Sequence, residues 1–213
     1  MGSSRPASDI CECVGAKGAP LVGLVLHGYG GDRFELLELA EQLAIRLRVR
    51  VLVPDLPGHG DRAEEPLTLA SALADTEAWL GALDRPGFVV GHSMGARLAL
   101  LAEAPVVAAL SLPGQASFEG SPREMLRTLR ANRVNESARY AGLLEVLAAP
   151  VVPAPATLLL VAEFDIPSVQ RQAAEWGAEG AEIVHIPGTD HATIVEAPVA
   201  IDAVAHWLEW LIQ

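Results

Sequence analysis

Residues 88–104 read FVVGHSMGARLALLAEA: the apolar residues Phe88, Val89 and Val90 run into Gly91, His92, Ser93, Met94 and Gly95, and a helical pattern begins at once. This is G-x-S-x-G set between a strand and a helix. The glycines are needed there because the reversal brings two backbones together and leaves no room for Cβ atoms. The serine at the bend takes a strained conformation that projects its Oγ outward. A helix starting at Met94 aims its N-terminal N–H groups and dipole at any oxyanion forming beside that oxygen. The pentapeptide alone is common, and its plainer reading is a Gly-rich turn with an N-capping serine. The remainder of the chain decides between the two.

Working outward, short apolar runs at 21–26, 49–53, 88–90, 106–112, 157–161 and 183–186 alternate with segments of helical period at 32–48, 67–83, 94–103, 168–178 and 199–211. In the first of these helices Phe34, Leu37, Leu39, Ala40, Leu43 and Leu47 make one apolar face. The alternation predicts an α/β protein with a doubly wound, mostly parallel sheet, its strands buried on both sides and its crossovers right-handed. Residues 10–14 offer one antiparallel strand at the edge. Residues 115–155 separate two strands by more than a crossover needs and hold amphipathic stretches at 125–130 and 139–147. They are read as a small helical lid inserted in a single domain spanning 1–213.

Composition sets the outer bounds. A chain of 213 residues with 51% hydrophobic and 20% charged residues is neither disordered nor a disulfide scaffold, and it buries enough surface to need no staple. Its formal charge of −12 disfavours nucleic acid or an anionic membrane as the main partner. The one lysine, Lys17, lies outside any Gly-rich phosphate loop, which argues against P-loop and Schiff-base chemistry. Cys11 and Cys13, one residue apart, are read as reduced and structurally ordinary, since a local bridge is badly strained. The segment 1–8 is read as neither signal peptide nor membrane anchor, and no apolar run is long enough to span a bilayer. A cytoplasmic protein is expected.

Three further positions complete the chemistry. In LVGLVLHGYGGDR an apolar strand ends in His27, Gly28, Tyr29, Gly30 and Gly31. The amide of Tyr29 is the expected second oxyanion donor beside that of Met94. A dinucleotide loop is excluded because Arg33 stands where the third glycine belongs, so the fingerprint is incomplete. Beyond the strand at 158–161 come Glu163, Phe164 and Asp165, carboxylates at the sheet's C-terminal edge. Asp165 is preferred because it ends the turn before Pro167 starts a helix; Glu163 is the alternative acid, and a solvated helix-capping aspartate is the plainer reading. After the last strand, Pro187 to Thr193 make a loop carrying His191. The other five histidines lie in Gly-rich turns (His27, His59, His92), a strand (His185) or a helix (His206).

The order Ser93, Asp165, His191 is nucleophile, acid, base. With HGYGG, DLPGHGDR, GHSMGA, AEFD and GTDH, the chain resembles the α/β-hydrolase superfamily from about Leu21 onward. The resemblance implies an α/β-hydrolase fold, Ser93 as nucleophile, Asp165 as acid, His191 as base, and the amides of Tyr29 and Met94 as oxyanion hole. It assigns the turn at 55–62 a structural place only. Two departures stand out: the N-terminal strands usual in the family are reduced to one, and the lid is short.

The expected activity is hydrolysis of a carboxylic ester of small or medium acyl chain through an acyl-enzyme on Ser93, with no metal or organic cofactor. The same groups would also serve an acyl thioesterase, and carbon–carbon hydrolysis or perhydrolysis uses related sites. A non-catalytic or very slow ligand-binding protein on the same fold is the alternative of another class. The lid's Met125, Leu126, Leu129, Leu143 and Leu147 are candidates to line an acyl pocket, against the default that amphipathic helices turn such residues to the core. Arg123, Arg127, Arg130, Arg133 and Arg139 either attract an anionic group or form a solvated face.

Overall fold

The computed structural model describes residues 8–85, 87–115 and 136–212. Seven strands make one sheet: β1 (Cys11–Val14), β2 (Leu21–Leu26), β3 (Arg50–Pro54), β4 (Phe88–His92), β5 (Val106–Leu110), β6 (Ala156–Phe164) and β7 (Glu182–Asp190). Their order is β1-β3-β2-β4-β5-β6-β7, every pair parallel except the antiparallel β1 and β3. The doubly wound α/β sheet and its single antiparallel edge strand are both as the sequence pattern predicts.

Among the described residues six α-helices cover the sheet: α1 (Leu37–Leu47), α2 (Leu69–Gly81), α3 (Met94–Leu101), α4 (Glu136–Ala148), α5 (Pro167–Ala178) and α6 (Pro198–Ile212). Leu39 and Leu43 of α1 and Val204 and Leu208 of α6 share a core on one face of the sheet. On the other face Trp79, Leu98, Leu143 and Trp176 bring α2, α3, α4 and α5 into a second core. With both faces covered, all residues of β2 and β4 are buried, which is why these strands read as continuous apolar runs. Among the described residues no helix is long and apolar enough to cross a membrane.

Three differences from the sequence reading have local causes. The helix expected over 32–48 is a 3₁₀ turn, Arg33–Leu36, followed by α1. The Asp32 side chain caps that turn by accepting from the Phe34 amide, and Arg33 is drawn aside to Asp55. Strands β6 and β7 run on to Phe164 and Asp190, so Glu163 and Pro187 lie within strands, not loops. A register shift between Ala162 and Phe164 accommodates the added length. Finally, β7 is half exposed because it closes the sheet, and an edge strand tolerates a proline whose missing N–H faces away from the ladder.

Strand order fixes where a site belongs. From β2 the chain winds outward through β3, then returns to place β4 on the other side of β2, so the carboxyl ends of β2 and β4 open on a topological switch point. The loops carrying HGYGG and GHSMG both leave from that crevice.

Arg97, on α3, has no exposed surface. Its guanidinium donates to three carbonyls, Val146 at 3.0 Å and Pro113 at 2.8 Å and also Ala149, so it ties the C-terminal turn of α4 and the loop after β5 to the helix behind Ser93. Burial without a carboxylate partner pushes its pKa down to about 10, while the helix C-terminus compensates part of the charge. Arg97→Met is expected to orphan all three carbonyls and cost about 3 kcal/mol, a fall in Tm on the order of 10 °C measured by calorimetry. An unchanged Tm would mean that water replaces the guanidinium without loss.

Candidate active site

The sheet register alone brings the first two loops together. Leu26 pairs with Gly91, so two residues further on Gly28 lies beside Ser93. A Cβ placed on Gly28 would stand 2.8 Å from Nδ1 of His92 and 3.4 Å from Cβ of Ser93, and one on Gly95 would fall 2.3 Å from the Leu26 carbonyl oxygen. Both positions are therefore restricted to glycine by close approach. Ser93 itself has φ 52° and ψ −110°, a positive φ that L-residues rarely adopt. Its amide donates to the Leu110 carbonyl at 2.9 Å, which holds the strained bend against β5.

From that bend Ser93 Oγ lies 3.0 Å from Nε2 of His191, and Nδ1 of His191 lies 2.7 Å from Oδ1 of Asp165. The three residues expected to work together leave the ends of β4, β6 and β7 and meet in one hydrogen-bonded chain. The Asp165 side chain is fully buried and His191 keeps 18% of its side-chain surface. A neutral His191 with its proton on Nδ1 donates to Asp165 and presents a basic Nε2 to the hydroxyl. Glu163, the alternative acid, accepts from the Gly188 amide at 2.7 Å and braces β7 instead.

The expected oxyanion donors flank this chain. Met94 is the first residue of α3, where amides have no intrahelical acceptor. Tyr29 follows Gly28, and its ring is buried edge-on against His59 at 5.6 Å while the Met94 side chain is fully buried. Both side chains thus point inward, leaving the backbone as the part of each residue suited to the site. His27 fixes the Tyr29 loop. The Leu56 amide donates to its Nε2 at 3.0 Å, so Nδ1 carries the proton and donates to the Gly28 carbonyl at 2.8 Å.

The turn at 55–62 is structural, as the resemblance implies. The fully buried Asp55 carboxylate accepts from the Arg33 amide at 2.8 Å, the Asp61 amide at 2.9 Å and the Arg33 guanidinium. Cys11 and Cys13 are free thiols, and burial pushes Cys11 up to about 12, far from nucleophilic character at neutral pH.

Two contacts were not legible in the sequence. Nε2 of His92 lies 2.7 Å from the His191 carbonyl, linking the Ser93 bend to the His191 turn. Ser111 Oγ lies 2.5 Å from Oδ2 of Asp165. The strand expected over 106–112 ran through Ser111; a polar residue at its carboxyl end, followed by Leu112, Pro113 and Gly114, was the available signal. Of the lid candidates, Leu143 and Leu147 are core residues. They are 2% and 5% exposed and pack with α2 and α3, which corrects the acyl-lining expectation for Leu143. Met125, Leu126 and Leu129, with Arg123, Arg127, Arg130 and Arg133, lie outside the described residues, and Arg139 falls within α4.

Two carboxyls here lie below their ordinary range. Burial pushes Asp165 up, but the hydrogen bond and charge of His191, the Ser111 hydroxyl and the Ile166 amide together outweigh it. At Asp190 the Thr193 amide and hydroxyl, and then the Ala192 amide, hold the carboxyl down. These same bonds shape the turn that presents His191. Because both folded values are depressed, their contribution to stability is complete above the unfolded value of about 4 and is lost as pH falls through the folded values. Unfolding monitored by calorimetry from neutral to acid pH is expected to show Tm falling below about pH 4, and less steeply in Asp190→Asn. An equally steep fall in that variant would remove Asp190 from the account.

The family model described as "Alpha/beta hydrolase family" matches residues 24–140, more than half of the chain. The chain belongs to the alpha/beta hydrolase family. A curated relative, the probable protein phosphatase methylesterase 1 of Caenorhabditis elegans, is 37% identical over 83 residues, covering 36% of this chain and 23% of that protein. The match thus spans about a quarter of the relative's length.

Among solved structures, a thermophilic esterase from Thermogutta terrifontis superposes with a TM-score of 0.71 at 21% identity, covering 93% of this chain and 92% of that one. A monoacylglycerol lipase from Paleococcus ferrophilus gives 0.69 at 18% identity, covering 93% and 97%. At these identities the likeness is one of fold.

Proposed function

We propose that the protein is a serine hydrolase that cleaves carboxylic esters of small or medium acyl chain through an acyl-enzyme on Ser93. One observation carries the reading: a continuous chain from the Ser93 hydroxyl through His191 to the buried Asp165, at 3.0 and 2.7 Å. In this reading Nε2 of His191 takes the hydroxyl proton as Oγ attacks the ester carbonyl. The Tyr29 and Met94 amides hold the oxyanion, and Asp165 keeps the imidazole in its Nδ1–H tautomer and stabilises the cation. The imidazolium then protonates the leaving alcohol. Water enters, gives its proton to His191, and attacks the acyl carbon to release the acid and regenerate Ser93.

The lid expected over 115–155 falls largely outside the described residues, and its described part, α4, packs Leu143 and Leu147 into the core. A methylesterase relative and esterase-like structural neighbours agree with ester chemistry without choosing the substrate. A series of p-nitrophenyl esters of increasing chain length, run beside acyl thioesters, tests the substrate class. Turnover with an optimum at the shorter esters is expected. A higher kcat/KM on every thioester would make it a thioesterase, and binding without turnover of either would favour a ligand-binding protein.

A further inference from the structure

Ser111 is buried, strained and polar at once. It sits immediately beyond β5 with φ 50°, one of four non-glycine residues with positive φ among those described, and none of its surface is exposed. Its backbone is pinned: the Ser111 amide donates to the Leu160 carbonyl at 2.8 Å, and the neighbouring Leu110 carbonyl accepts the Ser93 amide at 2.9 Å. Residue 111 therefore lies between the strand end that carries the nucleophile and the one that carries the acid.

Among the described residues the Ser111 hydroxyl donates to Oδ2 of Asp165, at 2.5 Å. Apart from it, Oδ2 receives only a long bond from the Ala162 amide at 3.3 Å, whereas Oδ1 is shared by His191 at 2.7 Å and the Ile166 amide at 2.9 Å. Without the hydroxyl, Oδ2 keeps only the long Ala162 bond, which leaves the carboxylate freer to rotate about its Cβ–Cγ bond and swing the lone pair away from His191. A short donor on the second oxygen stops that rotation.

We propose that Ser111 is a positioning residue of the acid–base pair: its hydroxyl locks the Asp165 carboxylate in the plane that serves His191, and the strained backbone at 111 is retained to deliver that hydroxyl. The inference rests on the serine-hydrolase reading for its effect on turnover, but its structural core concerns only the Ser111–Asp165–His191 arrangement. The titratable groups around it are Asp165, His191, His92 at the end of β4, Glu163 in β6 and Asp190 at the end of β7. Ser111 itself does not titrate. Without the hydroxyl the carboxylate turns away from His191 and its hold on an imidazolium weakens. The acid limb of the pH profile is thus expected to move to lower pH.

Ser111→Ala keeps the positive φ and removes only the hydroxyl; Ser111→Gly removes the hydroxyl and relieves the backbone. Both are expected to lower kcat about tenfold with KM within about twofold, as for loss of a group that acts on the transition state through another. The Gly variant is expected to keep the Tm of the parent. In an Asp165→Asn background, Ser111→Ala is expected to have less than about a twofold further effect, since two residues acting through one contact are not additive. Parental kcat in both variants, or the same tenfold loss with and without Asp165, would overturn the proposal. If the Ala variant does not fold, the Gly variant carries the same comparison. Independently of turnover, ¹H–¹⁵N spectra of the His191 imidazole are expected to show its titration moved downward in the variant. An unmoved titration would sink Ser111's role even in an active enzyme, whereas a moved one in a protein without turnover would sink only the hydrolase reading.

Discussion

Replacing Ser93 by Ala is expected to leave a folded protein with kcat lowered by about 10⁶ on any ester the parent turns over, the size of loss found when a serine nucleophile is deleted from a complete site. No other change of so few atoms should cost as much. The hydroxyl is exchanged for hydrogen at a position whose backbone φ of 52° is as strained for alanine as for serine, and whose amide still reaches the Leu110 carbonyl. Stability therefore changes little. Substrate affinity should survive too, because the amides proposed to hold the oxyanion and the rest of the site remain in place; a Kd for a slow substrate close to the parental KM checks this. If Ser93→Ala retains more than about a hundredth of the parental rate, Ser93 is not the nucleophile.

The second large effect is expected at Asp165. Asp165→Asn keeps the volume of the buried side chain but offers His191 an amide in place of a carboxylate. The imidazole loses the partner that fixes its tautomer and stabilises its cation, and kcat is expected to fall about 10⁴-fold. Glu163→Gln is the matched control. Its carboxylate contacts the Gly188 amide, not His191, so the variant should stay within a few-fold of the parent. If the two results are reversed, the acid is Glu163 and the chain described at His191 is not the one that works.

Much of this arrangement could be read before any coordinates, for a physical reason. In a parallel sheet covered on both faces the strands are continuous apolar runs, and reactive side chains can only gather where those runs stop, at the carboxyl edge. Ser93 directly follows such a run, and Asp165 and His191 come a few residues beyond the runs at 158–161 and 183–186. The glycines flanking the bend were legible too, because Gly91 and Gly95 are forced by close backbone approach.

What escaped were features decided by pairing between distant strands. Nothing in the segment around Ser111 announces Asp165, which is 54 residues away; the two meet only because β5 and β6 are neighbours in register. The lengths of β6 and β7 escaped for a related reason, since a register shift near Ala162 carries both past the turn residues that normally end a strand. Leu143 was misjudged because amphipathic periodicity shows which face of α4 is apolar but not whether the core or a cleft receives it. Arg97, fully buried without a carboxylate, defeats any rule based on residue type.

The central claim is that the Ser93 hydroxyl is activated by an imidazole 3.0 Å away. Its most direct test is labelling with an active-site-directed fluorophosphonate, followed by intact-mass and peptide analysis of the parent and of His191→Ala. One adduct per chain, on Ser93 in the parent and slowed at least about a thousandfold in the variant, is the result expected of a base-activated nucleophile. An adduct on another residue, or labelling of Ser93 at the same rate without His191, would contradict it.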